Sequence, residues 1–409
     1  AGVPGSVAGM FAAHDSLGSL PMAQLIQPAI DLAEGGFTLT AKEAAGLNSR
    51  RDSIAKYSTE PTTYAGKAFW AAGDSIFHSE LAHTLSLIRD RGAAGFYAGE
   101  TADRIVAEMQ RGNGLIAYQD LLDYRAVWRT PVSGTYRTYT VIGMPPPSSG
   151  GIALQQLLSL VEPFSPGAYG WHSAEAVHLL VEAERRVYAD RAQHLGDSDF
   201  FPVPRAGLLA RDYLAGRMGD FDPARATPSD SLAAGVPAGK ESEQTTHFSI
   251  VDAAGNAVSL TTTLNDGYGS CVVVGGARYL LNNEKDDFSA KPGEANLYGL
   301  LGAEANAIQP GKRMLSSMTP TILTKGDSLF MVVGTPGGST IITSVFQTIL
   351  NVVEWKQNML EAVSAPRFHH QWLPDRVDYE EGAFSAETRE RLQAMGHKLQ
   401  PRGAIGRVD

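Results

Sequence analysis

Thr245 is where this chain could carry a nucleophile together with its own base. It follows Gln244 at the end of a polar stretch, 224–244, that bears Pro228, Pro237 and several glycines and serines, and it opens the strand-like run Thr245-Thr246-His247-Phe248. An internal threonine hydroxyl is inert near neutral pH, whereas a chain-terminal threonine has an α-amine of pKa about 7.7 to 8.0 within reach of its own Oγ. Scission between Gln244 and Thr245 would therefore make one residue both nucleophile and general base, the beginning of an acyl-transfer site. A polar, Pro- and Gly-bearing stretch is the kind of segment that can be cut without loss of fold. A Thr-Thr pair taken alone more often just starts a strand, so the assignment depends on what lies downstream.

Acyl transfer also needs oxyanion donors and substrate anchors. Leu329 to Val333 reads as a strand that runs through Gly334-Thr335-Pro336-Gly337-Gly338-Ser339 into an apolar helix from about Thr340 to Val353. Strand, glycine turn and helix start form an anion-binding arrangement: adjacent glycines admit a substrate close to the backbone, and unpaired N–H groups at the helix start point at negative charge. A plain tight turn with Ser339 as cap would use the same residues. Ser316 and Ser317 precede a strand over Thr319 to Leu323, and Glu284, Asp286 and Asp287 follow Leu280-Leu281-Asn282-Asn283 at the end of another. Hydroxyls bind a carboxylate and acidic side chains hold an ammonium, so a substrate with a free amino-acid head would engage both sets. Taken singly, a serine cap and a solvated acidic turn are the plainer meanings.

The elements that must position these groups change character along the chain. Up to about residue 240 it is mostly helical, with apolar spacing of three and four in Met22 to Leu32, His83 to Leu87 and Ile105 to Met109. The clearest helix starts at a Ser173 cap and buries Val177, Leu180, Val181, Val187 and Tyr188 before ending at Gly196. Tyr136 to Met144 alternates like a strand and leaves its sheet at Pro145-Pro146-Pro147-Ser148-Ser149-Gly150-Gly151. From Thr245 strands dominate. Thr246 to Val251 and Ala257 to Thr263 flank the turn signal Ala253-Ala254-Gly255-Asn256, and a turn centred on Ala254 and Gly255 pairs Thr246 with Thr263, placing Thr245 diagonal to Thr263 and next to Asn265.

Composition removes several function classes. The 409 residues are 43% hydrophobic and 19% charged, with a net charge of −10, so clustered basic surface for nucleic acid or an anionic membrane is not expected. No apolar run approaches the roughly 18 to 20 residues of a membrane span, and the opening at Ala1 suggests a chain trimmed or processed at its front. Cys271 is the single cysteine, and with His369-His370 adjacent and unable to chelate one ion together, neither a metal nor another cofactor is expected. Gly235 and Gly239-Lys240 do not complete a phosphate loop, and no Gly-x-Ser-x-Gly elbow supports a serine triad.

Several blocks, in order and at matching spacing, resemble the γ-glutamyltransferases, also called glutathione hydrolases: Gly2-Val3-Pro4-Gly5, Met144 to Gly151, Thr245 to Ser249, Leu281 to Phe288, Leu315-Ser316-Ser317-Met318 and Pro336-Gly337-Gly338-Ser339. The resemblance covers nearly the whole chain. It implies an α+β fold, the four-layer αββα sandwich of the N-terminal-nucleophile hydrolases. It also implies a proenzyme that cuts itself before Thr245 into a large-subunit portion, 1–244, and a small-subunit portion, 245–409, which pair as a heterodimer. By the same resemblance Thr245 is the nucleophile, Thr263 orients its amine, and Gly337 and Gly338 are the oxyanion donors. Asn265, Glu284 and Asp287 hold the substrate α-amino group, Ser316 and Ser317 contact its α-carboxylate, and Tyr298, within 292–302, belongs to a lid. An arginine expected before residue 1, the main partner of the α-carboxylate, is not in the sequence, and members continue beyond Asp409. Weak donor binding is the expectation for this polypeptide.

The implied function is transfer of a γ-glutamyl group from glutathione and related compounds to water or to amino acids and peptides, in the periplasm or outside the cell. A cephalosporin or glutaryl acylase on the same scaffold is the alternative, disfavoured because Glu284 and Asp287 would be costly against an uncharged donor end. An unprocessed, silent binding relative is the second alternative.

Overall fold

A computed structural model describes residues 1–234, 246–289 and 304–409. Gln244, Thr245, Tyr298 and the Gly235 to Lys240 stretch lie outside the described residues. The chain divides into two compact units, Ala1–Trp128 with Asp266–Glu284, and Arg129–Asn265 with Lys285–Asp409. Residues from both sides of the expected scission point contribute to each unit.

In the first unit the apolar spacing yields α1 (Ser6–Leu17), α2 (Met22–Gly35), α3 (Ala41–Tyr57), α4 (Ser79–Arg91) and α5 (Glu100–Arg111). A capping box starts α3: Thr40 Oγ1 accepts from the Glu43 N–H, and the Glu43 carboxylate accepts from the Thr40 N–H at 2.7 Å. Phe96, Ile105 and Met109 pack with Val274 and Leu281 of the returning segment. Burying such side chains contributes about 1.5–3 kcal/mol each, which anchors the backbone that carries Asn282 to Glu284. The expected strand ending at Asn283 is reduced to an isolated bridge, Val273 to Leu280.

The second unit begins with β1 (Val132–Tyr136) and β2 (Tyr139–Gly143), so the expected strand from Tyr136 breaks at Arg137, which turns the chain at φ 54°. There follow α6 (Gly150–Val161), α7 (Ala174–His194), β3 (Thr246–Val251), β4 (Ala257–Thr262), β5 (Thr321–Lys325), β6 (Ser328–Val333) and α8 (Thr340–Val353). The antiparallel sheet runs β1-β2-β5-β6. Leu154 and Leu158 of α6, Val177 and Val187 of α7, and Phe346 and Leu350 of α8 form one core with Val141, Leu323 and Val333 of the sheet. The β3–β4 hairpin is a separate two-stranded sheet packed against β5 and β6. Its Ser259 Oγ accepts from the Thr321 N–H at 3.0 Å and donates to the Val333 carbonyl at 3.3 Å. Helices, one sheet and a second sheet are layers of the α+β sandwich expected from the sequence.

Ser173 caps α7 as expected, its Oγ accepting from the Ala176 N–H at 3.2 Å. The helix is buried on almost every side, however, and its charged residues are inside with the apolar ones. Buried charges must be paired. Glu182 receives Arg186 at 2.6 Å and Arg185 at 3.2 Å, while Arg217 meets Asp190 at 2.9 Å. Glu184 accepts from the His370 N–H at 2.9 Å, and burial raises its carboxyl well above the ordinary range.

The hairpin register differs from the expectation by one residue: Thr246 pairs with Thr262, not with Thr263. The cause is the loop. The Gly255 N–H donates to the Asp252 carbonyl at 3.1 Å and Gly255 sits at φ 85°, so the loop has three residues, 253–255, rather than two. Asp252 Oδ1 fixes this conformation by accepting from the N–H groups of Ala254 at 2.9 Å and Asn256 at 2.8 Å.

Candidate active site

His247, the second residue of β3, is buried, with Nδ1 2.9 Å from Thr261 Oγ1 and Nε2 3.0 Å from Ser249 Oγ. Burial lowers its pKa, so the ring is neutral at pH 7 and acts as a packing element. It fills the space that a side chain at Gly334 would need, a Cβ there lying 2.2 Å from the ring. The start of β3 is thereby held beside the loop that leads from β6 through Gly337 and Gly338 to α8.

That loop has the anticipated geometry. Gly337 and Gly338 sit at φ 141° and 59°, backbone that side-chain-bearing residues rarely adopt. Their carbonyls are used at the helix start, Gly337 accepting from the Thr340 N–H at 3.2 Å and Gly338 from the Ile341 N–H at 2.9 Å. Among the described residues neither glycine's own N–H donates to a protein acceptor. Two such donors beside a helix N-terminus suit a developing oxyanion.

Thr263 and Asn265 come next after β4. Thr263 Oγ1 accepts from the Asn265 N–H at 2.7 Å, and Asn265, buried at φ 74°, takes a conformation that asparagine tolerates better than most residues. Further along, Glu284 to Asp287 form a single 3-10 turn. The Glu284 N–H donates to Asn282 Oδ1 at 3.1 Å, and Asn282 also bonds Gly2 at its N–H (2.7 Å) and carbonyl (3.0 Å), which joins two of the sequence blocks. Although its surface exposure is intermediate, enough protein surrounds Glu284 that desolvation pushes its carboxyl up to about 7.

Asp287 and the serine pair are brought together by a residue the sequence reading did not single out. Asn306 is fully buried; its Nδ2 donates to the Asp287 carbonyl at 2.6 Å and its Oδ1 accepts from the Leu315 N–H at 3.0 Å. The acidic turn and the strand entry at Ser316 are thus stapled through one amide. Ser316 is held from the other side by the proline-serine block: its N–H donates to Pro147, and its carbonyl accepts from the Ser149 N–H at 2.7 Å and from the hydroxyls of Ser148 at 3.0 Å and Ser149 at 2.8 Å. Ser316 Oγ accepts from the Met318 N–H at 3.1 Å. Ser317 Oγ is buried without a partner among the described residues, as a hydroxyl waiting for a ligand would be. Asn306 carried no sequence signal, because a stapling amide is defined only by what the fold brings to it; Ser149 lay within the proline-serine block, but its bond to Ser316 was not foreseen.

The expected absence of a metal set rested on the adjacent His369-His370 pair and the single Cys271. The described residues contain one group of suitable types elsewhere, His178, Glu182 and His397. His178 Nδ1 lies 2.7 Å from His397 Nε2, and the carboxylate is already committed to Arg185 and Arg186.

The family model described as gamma-glutamyltranspeptidase matches residues 1–409. The chain belongs to the gamma-glutamyltranspeptidase family. It is 45% identical over 414 residues to the glutathione hydrolase proenzyme of Escherichia coli (strain K12), covering 99% of this chain and 70% of that relative. It is 36% identical over 410 residues to the acylase ACY 1 proenzyme of Pseudomonas sp. (strain V22), covering 99% of this chain and 70% of the acylase. Among solved structures, the cephalosporin acylase from Bacillus halodurans superposes with a TM-score of 0.87 at 27% identity, over 99% of this chain and 73% of that one. As a gamma-glutamyltranspeptidase-family chain it has the α+β sandwich of the N-terminal-nucleophile hydrolases.

Proposed function

We propose that this chain, once cut between Gln244 and Thr245, transfers γ-glutamyl groups from glutathione and related donors to water or to amino acids and peptides. The observation that supports the reading is the Asn306 staple, one buried amide that bonds the Asp287 carbonyl and the Leu315 N–H and so ties the backbone of the acidic turn to the residue before the serine pair. Identity to a glutathione hydrolase proenzyme exceeds that to an acylase proenzyme, 45% against 36%, which favours the γ-glutamyl donor over a glutaryl one. The portions 1–244 and 245–409 would pair as a heterodimer, and the family resemblance supports export to the periplasm or cell exterior. Among the described residues no helix is long and apolar enough to cross a membrane.

In this mechanism the freed α-amine of Thr245 takes the Oγ proton, Oγ attacks the γ-carbonyl, and the N–H groups of Gly337 and Gly338 receive the oxyanion. Collapse breaks the C–N bond as the Thr245 ammonium returns its proton to the departing donor amine, and water or an acceptor amine, deprotonated by the same α-amine, then releases the γ-glutamyl group from the ester. Thr263 follows the last paired residue of β4 and is assigned to orient the amine. Asn265, Glu284 and Asp287 take the substrate ammonium, Ser316 and Ser317 its carboxylate, and Tyr298 the lid role.

N-terminal sequencing together with γ-glutamyl and glutaryl anilide assays tests the reading. The expected result is a second chain beginning at Thr245 and at least a tenfold preference for the γ-glutamyl donor in kcat/KM, since losing one charged anchor costs roughly 2–5 kcal/mol when its partners stay buried. A preference for the glutaryl anilide would establish the acylase alternative instead.

Glu284 adds a pH signature. Its carboxyl, raised to about 7, is neutral below that pH and ionised above it, and only the ionised form attracts an ammonium. The amine of Thr245 must also lose a proton, so log kcat/KM should climb from pH 5.5 to 7 with a slope approaching two. In Glu284→Gln the slope should fall to one and KM should rise. An unchanged slope in the variant would remove Glu284 from the ammonium site.

A further inference from the structure

We propose that Tyr188 and Arg191, one turn apart on α7, are positioning residues that fix the spacing between the Gly337-Gly338 loop and the Ser316-Ser317 pair. The proposal rests on the functional reading above, which makes those two segments the oxyanion donors and the carboxylate anchor. Residues three apart on a helix share a face, and both side chains are almost wholly buried, at 1% exposure each. Their polar ends go to the backbone or brace of the two site segments.

Tyr188 donates its hydroxyl to the carbonyl of Ser339, the residue immediately after Gly338. Ser339 is also held through its side chain, Oγ donating to Gln371 Oε1 at 2.8 Å. The peptide that ends the glycine loop is therefore fixed at two points. Arg191 Nε donates to Ser149 Oγ at 2.9 Å, and that hydroxyl donates to the Ser316 carbonyl at 2.8 Å. The guanidinium carbon stands 6.0 Å from the Tyr188 ring centroid, so the two side chains also brace each other. A packed interior transmits displacement instead of absorbing it.

The chemistry gives this arrangement a purpose. A γ-glutamyl donor joins its α-carboxylate to the carbonyl under attack through a few single bonds, so the conformer that reacts has one separation between them. Oxyanion donors and carboxylate anchor must match that distance, and an error of 1 Å costs on the order of 10²-fold in rate. A single rigid helix face that reaches both segments sets the match without relying on either loop.

The two arms predict different kinetics. Donors to the oxyanion act in the transition state and set kcat, while the carboxylate anchor binds ground state and transition state alike and sets KM. Tyr188→Phe keeps the ring and deletes one hydrogen bond; it should lower kcat about tenfold or more with KM nearly unchanged, for γ-glutamyl anilide and for 4-aminobutyryl anilide, which lacks the α-carboxylate. Arg191→Gln, and Ser149→Ala, which cuts the same relay at its middle, should raise KM for the γ-glutamyl anilide about tenfold and leave the 4-aminobutyryl anilide unaffected. Arg191→Lys should recover part of the loss. Thermal denaturation of each processed variant accompanies the assays. Equal losses on both donors from Arg191→Gln and Ser149→Ala, or losses that merely track a lowered Tm, would overturn the proposal while leaving the functional reading intact. Absence of γ-glutamyl turnover in the unsubstituted enzyme would overturn both.

Discussion

The Thr245→Ala variant is expected to run as one chain on a denaturing gel and to turn over no γ-glutamyl donor. Two separate losses follow from the same missing atom. Without Oγ nothing attacks the carbonyl of Gln244, so the peptide stays closed and the α-amine that serves as general base is never released. Without Oγ there is also no acceptor for the γ-glutamyl group. Deleting the nucleophile of a serine protease costs on the order of 10⁶ in kcat, and a loss of similar size is expected here. Thr245→Ser separates the steps, since it keeps an attacking oxygen and an amine once cut: it should yield two chains and measurable, reduced turnover. Two chains in the alanine variant would show that another group performs the scission, and the assignment of Thr245 would fall.

Much of the local structure around the candidate site was legible because each segment carries its own local signals. The helix over Thr340 to Val353 was read to the residue, since an apolar run bounded by a Gly-Gly-Ser turn leaves little freedom. The β3–β4 hairpin was legible but its register was not: Asp252 and Gly255 together build a three-residue loop, and a loop longer by one slides every partner. What escaped depends on residues far apart in sequence. Asn306 reaches Asp287 and Leu315, Ser149 reaches Ser316 across 167 positions, and the ionic residues of α7 are buried together with its apolar ones. A helix period reports where apolar residues recur and says nothing of how many sides are covered.

Gly337→Ala should reduce kcat by about 10²- to 10³-fold on the cleaved enzyme with little change in KM, the cost expected for one lost oxyanion donor. The reason is geometric. At φ 141° the residue occupies backbone that an L side chain rarely enters, and a Cβ built there lies 2.6 Å from Thr340 Oγ1 and 3.2 Å from Gly406 Cα. Thr340 cannot simply swing away, because its hydroxyl donates to the Gly337 carbonyl at 2.8 Å and its N–H to the same oxygen at 3.2 Å. The relief left to the chain is rotation of the Gly337 and Gly338 peptides, which turns the N–H groups off the oxyanion while leaving the acidic turn and the serine pair where Asn306 holds them. Binding is then retained and transition-state stabilisation is lost, which single-turnover kinetics on the processed enzyme would separate. Full kcat in this variant would mean that the oxyanion is held elsewhere, and the strand-loop-helix assignment would have to be abandoned.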